Sequence, residues 1–93
     1  GEMKAIATIE KLTPDSFSAY LESARAQGMT VTTNGGTGTV YLPEREVKLN
    51  YAYDPQAMRL VFYEGEKKNW LLRWSWVGDE IRKQARAKGL EVA

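Results

Sequence analysis

Apolar residues recur at helical spacing early in the chain, at alternate positions through its middle, and at helical spacing again in its tail. The early stripe is Phe17, Tyr20, Leu21 and Ala24, on one side of a helix of 3.6 residues per turn. Ahead of it stands Leu12-Thr13-Pro14-Asp15. Thr13 can cap, Pro14 suits the first helical position, Asp15 meets the positive end of the helix dipole, and Leu12 can staple onto Phe17. The spacing predicts a helix over 14–27, ended by Gly28, which takes the left-handed conformation without steric penalty.

After Gly28 the period becomes two, and three turns divide the chain into strands at 29–33, 38–42, 47–53 and 58–63. The turns are Asn34-Gly35-Gly36-Thr37, Pro43 to Glu46, and Asp54-Pro55-Gln56-Ala57, each rich in turn-forming residues. Four-residue loops pair Thr33 with Gly38, Leu42 with Val47 and Tyr53 with Met58. In that register one face collects Met29, Val31, Val40, Leu42, Val47, Leu49, Tyr51, Tyr53, Met58, Leu60 and Phe62. The other collects Thr30, Thr32, Thr39, Tyr41, Lys48, Asn50, Ala52, Arg59, Val61 and Tyr63. A slip of one residue would exchange the two sets, so the segregation supports the pairing. The expected fold is α+β, an antiparallel four-stranded meander with an N-terminal and a C-terminal helix on its apolar face.

In the tail, helical spacing from Trp70 puts Trp74, Val77, Ile81 and Ala85 on one stripe with Leu71 at its margin, which predicts Trp70 and Trp74 in the core. Trp76 points the other way, beside Lys83. Gly78 weakens a continuous helix, and Ser75 can cap a shorter one starting at Trp76, which would make 67–74 an extended lead-in. Either helix ends near Gly89. The segment 4–9 suits an added edge strand or a short helix.

Ninety-three residues make one domain, 1–93, with one core. No apolar run is long enough to span a membrane. Cysteine and histidine are both missing, which removes thiol chemistry and the commonest general base and transition-metal ligand. Neither a cofactor nor a metal is therefore expected, and enzymatic activity ranks last. Gly1-Glu2 ahead of Met3 reads as a cloning remnant or a trimmed end, which leaves a removed signal peptide open. The compartment is undetermined, with cytoplasm only a default. The net charge is +1, but residues 67–88 hold seven basic and two acidic side chains, enough to attract an anionic partner.

The order of capped helix, Gly-rich hairpin, Tyr51-Ala52-Tyr53-Asp54, a further strand, Lys68-Asn69-Trp70-Leu71 and a closing helix through Ile81 resembles a group of small bacterial proteins with no established activity. The resemblance spans roughly residues 28–85. It implies the fold and a bacterial origin, and no function. The basic, tryptophan-dense tail and Gly78 depart from the group's pattern.

Several candidate sites have plainer explanations. Asn34-Gly35-Gly36-Thr37-Gly38 invites a phosphate-loop reading, yet it joins two strands and lacks the Gly-Lys-Ser/Thr ending, so it reads as a hairpin turn. The pairs Glu44/Glu46 and Glu64/Glu66 lie beside turns, where solvated charge is ordinary. The outer sheet face offers more: Tyr41, Lys48 and Tyr63 are expected in one cross-strand row with Thr30, a surface able to stack on a ligand or another sheet. Trp76 opposite the core stripe, with Arg73, Arg82 and Lys83 nearby, has the composition of an interface anchor.

The first reading is a non-enzymatic interaction module, self-associating as a homodimer or binding a protein partner through the outer sheet and Trp76. The alternative is a nucleic-acid or anionic-surface binder using the basic tail, weakened by the near-neutral charge and by the lack of an aromatic-glycine signature of RNA-binding sheets.

Overall fold

The computed structural model describes residues 3–93, so the reading of Gly1-Glu2 lies outside the described residues. The elements in order are β1 (Ala5–Glu10), α1 (Pro14–Ala26), β2 (Thr30–Asn34), β3 (Thr37–Leu42), β4 (Val47–Asp54), β5 (Arg59–Lys67), α2 (Trp74–Ala87) and β6 (Glu91–Val92). The sheet is antiparallel, in the order β2-β3-β4-β5-β1-β6.

The expected meander is present as β2 to β5, but the sheet has six strands rather than four. The segment 4–9 settles as a strand inside the sheet, not at its edge, because Glu91–Val92 covers its outer side. Its sequence, Ala5-Ile6-Ala7-Thr8-Ile9, is too short for its period to declare itself. Tertiary pairing supplies what the pattern lacks: Ala7 faces Phe62 and Ile9 faces Leu60, and Ile9 is fully buried.

The helix start is as the sequence predicts. Thr13 accepts the Ser16 N–H at 3.1 Å, and Gly28 follows the helix at φ +94°. Tyr20, Leu21 and Ala24 are buried, while Phe17 stacks on Tyr53 with ring centroids 4.1 Å apart. Tyr20 and Leu21 share one apolar cluster with Val77, Ile81 and Ala85 of α2, and Phe17 packs against it, so both helices pack on the predicted face of the sheet.

One register differs. Tyr53 pairs with Leu60, not Met58, and Asp54 pairs with Arg59. The Asp54 carboxylate accepts the N–H groups of Gln56 and Ala57, so the turn begins after Asp54, and Met58 occupies its last position at φ +53°. Met58 is accordingly exposed instead of buried. The slip is two residues, and an even slip keeps every other side chain on its face. A bulge on β5 adds to the displacement: Lys48 meets Glu66, whereas Asn50 meets Tyr63. Gly65 occupies the bulge, where a Cβ would collide with the Lys48 carbonyl oxygen.

Gly78 is a buried residue inside α2 rather than a break in it. A second bulge explains its presence. On β1 the register shifts between Ala5 and Ala7, leaving Ile6 as the extra residue. Its carbonyl oxygen accepts from Arg82 Nη1 at 2.7 Å and lies where a Cβ on Gly78 would have to sit. In an open helix Gly→Ala adds about 1 kcal/mol of stability. Here the methyl meets backbone, an overpacking cost of about 1–3 kcal/mol or more. Gly78→Ala is therefore expected to lower the denaturant midpoint in a chemical unfolding curve, against the propensity scale.

Candidate functional site

The tryptophan-rich segment follows the lead-in alternative, with a helix that starts at Trp74. Arg73 occupies the N-cap position without a side-chain cap bond, so Ser75 is not the cap. Residues 68–73 form a tight connection organised by three contacts. Asn69 Oδ1 accepts the Leu71 N–H at 3.0 Å, the Asn69 carbonyl accepts the Leu72 N–H at 3.1 Å, and the Lys67 ammonium donates to the Leu72 carbonyl. Lys67 also lies over the Trp74 ring, 5.6 Å from its centroid.

This geometry decides which side chains go inward. Leu72 takes the buried place, and Trp74 packs partly against the core. Trp70 and Leu71 are turned out, 80% and 66% exposed. The expectation that Trp70 lies in the core is thereby overturned, because a stripe counted from Trp70 assumes helix where the chain is a turn. Asn69, a turn former just ahead of Trp70, was the available signal. Trp76 is 57% exposed, as its opposition to Val77 and Ile81 implies. Three large apolar side chains within seven residues thus face solvent.

The other candidate residues do not form one site with these. Tyr41, Lys48 and Tyr63 are half-buried on the sheet face away from the helices, and their expected row is interrupted, since Tyr63 stands opposite Asn50. Lys48 lies 3.9 Å from Glu66 and Lys68 lies 3.9 Å from Glu46, which compensates the local charge. Arg82 serves the fold, bridging the Ile6 carbonyl and Asp79. Arg73 and Lys83 are exposed. Glu44, Glu46 and Glu66 are exposed and Glu64 is half-buried; the described residues contain no group of three or more acidic side chains able to hold a metal ion. The Gly-rich segment is a hairpin turn between β2 and β3.

A second feature lies between the helices. Tyr20 Oη donates to Gln84 Oε1 at 2.9 Å and Lys88 donates to Ser23, linking α1 to α2. Beside these links a cleft of about 200 Å³ remains, floored by Val40, Leu49 and Phe62 and bordered by Gln27, Glu80 and Gln84. Glu80 is the one charged residue on its lining, and it pairs with Arg45 of the β3–β4 turn. Burial at the cleft wall pushes the Tyr20 phenol up to about 12.

Comparison with protein-family models, with characterised proteins and with solved structures returns no match. The resemblance to small bacterial proteins accordingly rests on the residues quoted for it, and no helix among the described residues is long and apolar enough to cross a membrane.

Two outcomes are expected. In single-tryptophan variants, acrylamide should quench Trp70 and Trp76 readily and Trp74 poorly; equal quenching of all three would contradict the arrangement of 68–73. The raised phenol of Tyr20 adds no pH dependence below the ordinary tyrosine value near 10, where both folded and unfolded chains are protonated. Above it the unfolded chain ionises first, so this contribution falls between about pH 10 and 12, by about 2–3 kcal/mol. Unfolding curves across that range should show the loss, reduced in Tyr20→Phe.

Proposed function

We propose that this domain is a non-enzymatic protein-interaction module that docks through Trp70, Leu71 and Trp76. The observation carrying this reading is the exposure of Trp70 and Leu71 on a turn held at both ends, by Asn69 on one side and by Lys67 and Leu72 on the other. Tryptophan is enriched among the few residues that dominate binding energy. A turn whose backbone is already held in shape loses less conformational freedom on docking than a flexible one. Exposed apolar groups set among polar ones mark interaction sites, and here Trp70 and Leu71 are adjacent in the chain with exposed Lys68, Asn69 and Arg73 on either side.

The reading shifts the expected surface away from the outer sheet. Tyr41 and Tyr63 do not flank Lys48 as a single row, and both are half-buried, whereas Trp70 and Leu71 are exposed. The anionic-surface alternative loses support for a physical reason: Arg82, Lys67, Lys68 and Lys88 are engaged within the chain.

The test is site-specific photocrosslinking in cells, with a benzophenone side chain at Leu71. A discrete covalent adduct is expected, whether with this protein or another, mapped by mass spectrometry to 68–76 and lost in Trp70→Ser/Trp76→Ser. A diffuse smear, or adducts indifferent to that double substitution, would sink the reading.

A further inference from the structure

Resting on that reading of Trp70, we infer that the partner is a second copy of this chain and that the cleft between α1 and α2 receives the Trp70 indole, each copy inserting into the other. Size, chemistry, charge and placement all bear on this match.

The cleft of about 200 Å³ is larger than the cavity of about 150 Å³ that takes up benzene in an apolar core. It suits one bicyclic ring and is too small for a helix. Its walls are apolar, with Leu21 and Ala24 of α1, Val77 and Ile81 of α2, and a floor of Leu49 and Phe62. An indole needs this apolar enclosure together with one acceptor for its N–H. Gln27 and Glu80 border the cleft and supply carbonyl and carboxylate oxygens.

The charges are complementary. Between Glu66 and Asp79 the chain carries Lys67, Lys68 and Arg73 and no acid. The cleft lining carries Glu80 and no cation. Lys68 is already paired with Glu46 and Glu80 with Arg45, so the cation that arrives with the turn of another copy is Arg73, and a carboxylate has acceptor sites for a second guanidinium, which favours this occupant over an acidic one.

Placement suggests how the contact closes. Arg45 pairs with Glu80 at the cleft border, and it lines a surface depression together with Asn69 and Leu72 at the base of the turn. The donor turn and the receiving cleft therefore lie on the same flank of the domain. A two-fold axis beside Arg45 would let the same contact form twice, giving a closed dimer instead of an open chain of subunits.

Sedimentation velocity from micromolar to millimolar protein tests this with two exposed positions, Trp70→Ala to remove the inserted ring and Gln27→Trp to plug the cleft. The wild type should dimerise, and each variant, its fold checked by circular dichroism and melting, should dimerise about tenfold more weakly or worse, as truncation of an interface anchor does. Trp70 emission should shift to the blue on dimerisation. In the Trp70→Ala protein, N-acetyltryptophanamide should perturb the NMR methyl signals of Leu49 and Ile81, an effect absent when Gln27→Trp is added. Loss of dimer in Trp70→Ala but not in Gln27→Trp, without probe binding at the cleft, would overturn the cleft as receptor and leave the docking role of Trp70 standing. A wild type that stays monomeric would overturn the second copy as partner, with the crosslinking adduct then showing whether another protein takes its place. A dimer indifferent to both substitutions would remove the inference and the Trp70 reading together.

Discussion

The arrangement turns on one backbone carbonyl. The bulge in β1 makes Ile6 the extra residue of the pairing, and α2 satisfies its oxygen with the Arg82 guanidinium while Gly78 lets the helix backbone come close. A buried carbonyl without a partner would cost about 1–3 kcal/mol, so the helix is held to this seat by hydrogen bonding as well as by the packing of Val77, Ile81 and Ala85. Once α2 is placed over β1, the connection from β5 must turn sharply between Lys67 and Trp74. Leu72 fills the inward position, and Trp70 and Leu71 have nowhere to go but solvent.

That outcome forgoes a large amount of apolar burial. A tryptophan side chain offers about 150–250 Å², so leaving Trp70 mostly exposed gives up on the order of 3–5 kcal/mol at about 25 cal/mol per Å². The turn nonetheless holds its shape through polar contacts of Asn69 and Lys67 that do not involve the indole. That arrangement is the one the proposed docking role of Trp70 requires.

The cleft follows from the same width constraint. Two further strands make the sheet broader than one helix can cover, and α1 and α2 are linked through Tyr20–Gln84 and Ser23–Lys88. Beside those links part of the floor formed by β3, β4 and β5 is left between the helices. On the opposite face the charges are largely answered within the chain, as with Lys48 and Glu66 or Arg59 and Glu10, and the two-residue slip of β5 against β4 sets Tyr63 opposite Asn50 rather than Lys48. The cleft lies on the side of the sheet that carries the helices.

What the sequence determined by itself was local and periodic. The capped start at Thr13, the stop at Gly28, the meander and its two faces were legible because each depends on residues close in sequence or on a period of two that survives an even slip. The opposition of Trp76 to Val77 and Ile81 was legible for the same reason. Four things were decided only in three dimensions. Segment 4–9 became a strand because Phe62 and Leu60 were there to pair with it. Gly78, read as a weakness in a helix, proved to be a point of backbone approach to a strand some seventy residues earlier. Trp70 left the core stripe because helical phase cannot be carried across a turn. The Tyr41–Lys48–Tyr63 row failed because the turn after Asp54 slips β5 by two residues against β4, and the bulge at Gly65 adds one more. For segment 4–9 and Gly78 the deciding partner lies far away in sequence, where periodicity carries no information about it; for Trp70 and the row it is a turn, which breaks the phase that periodicity extends.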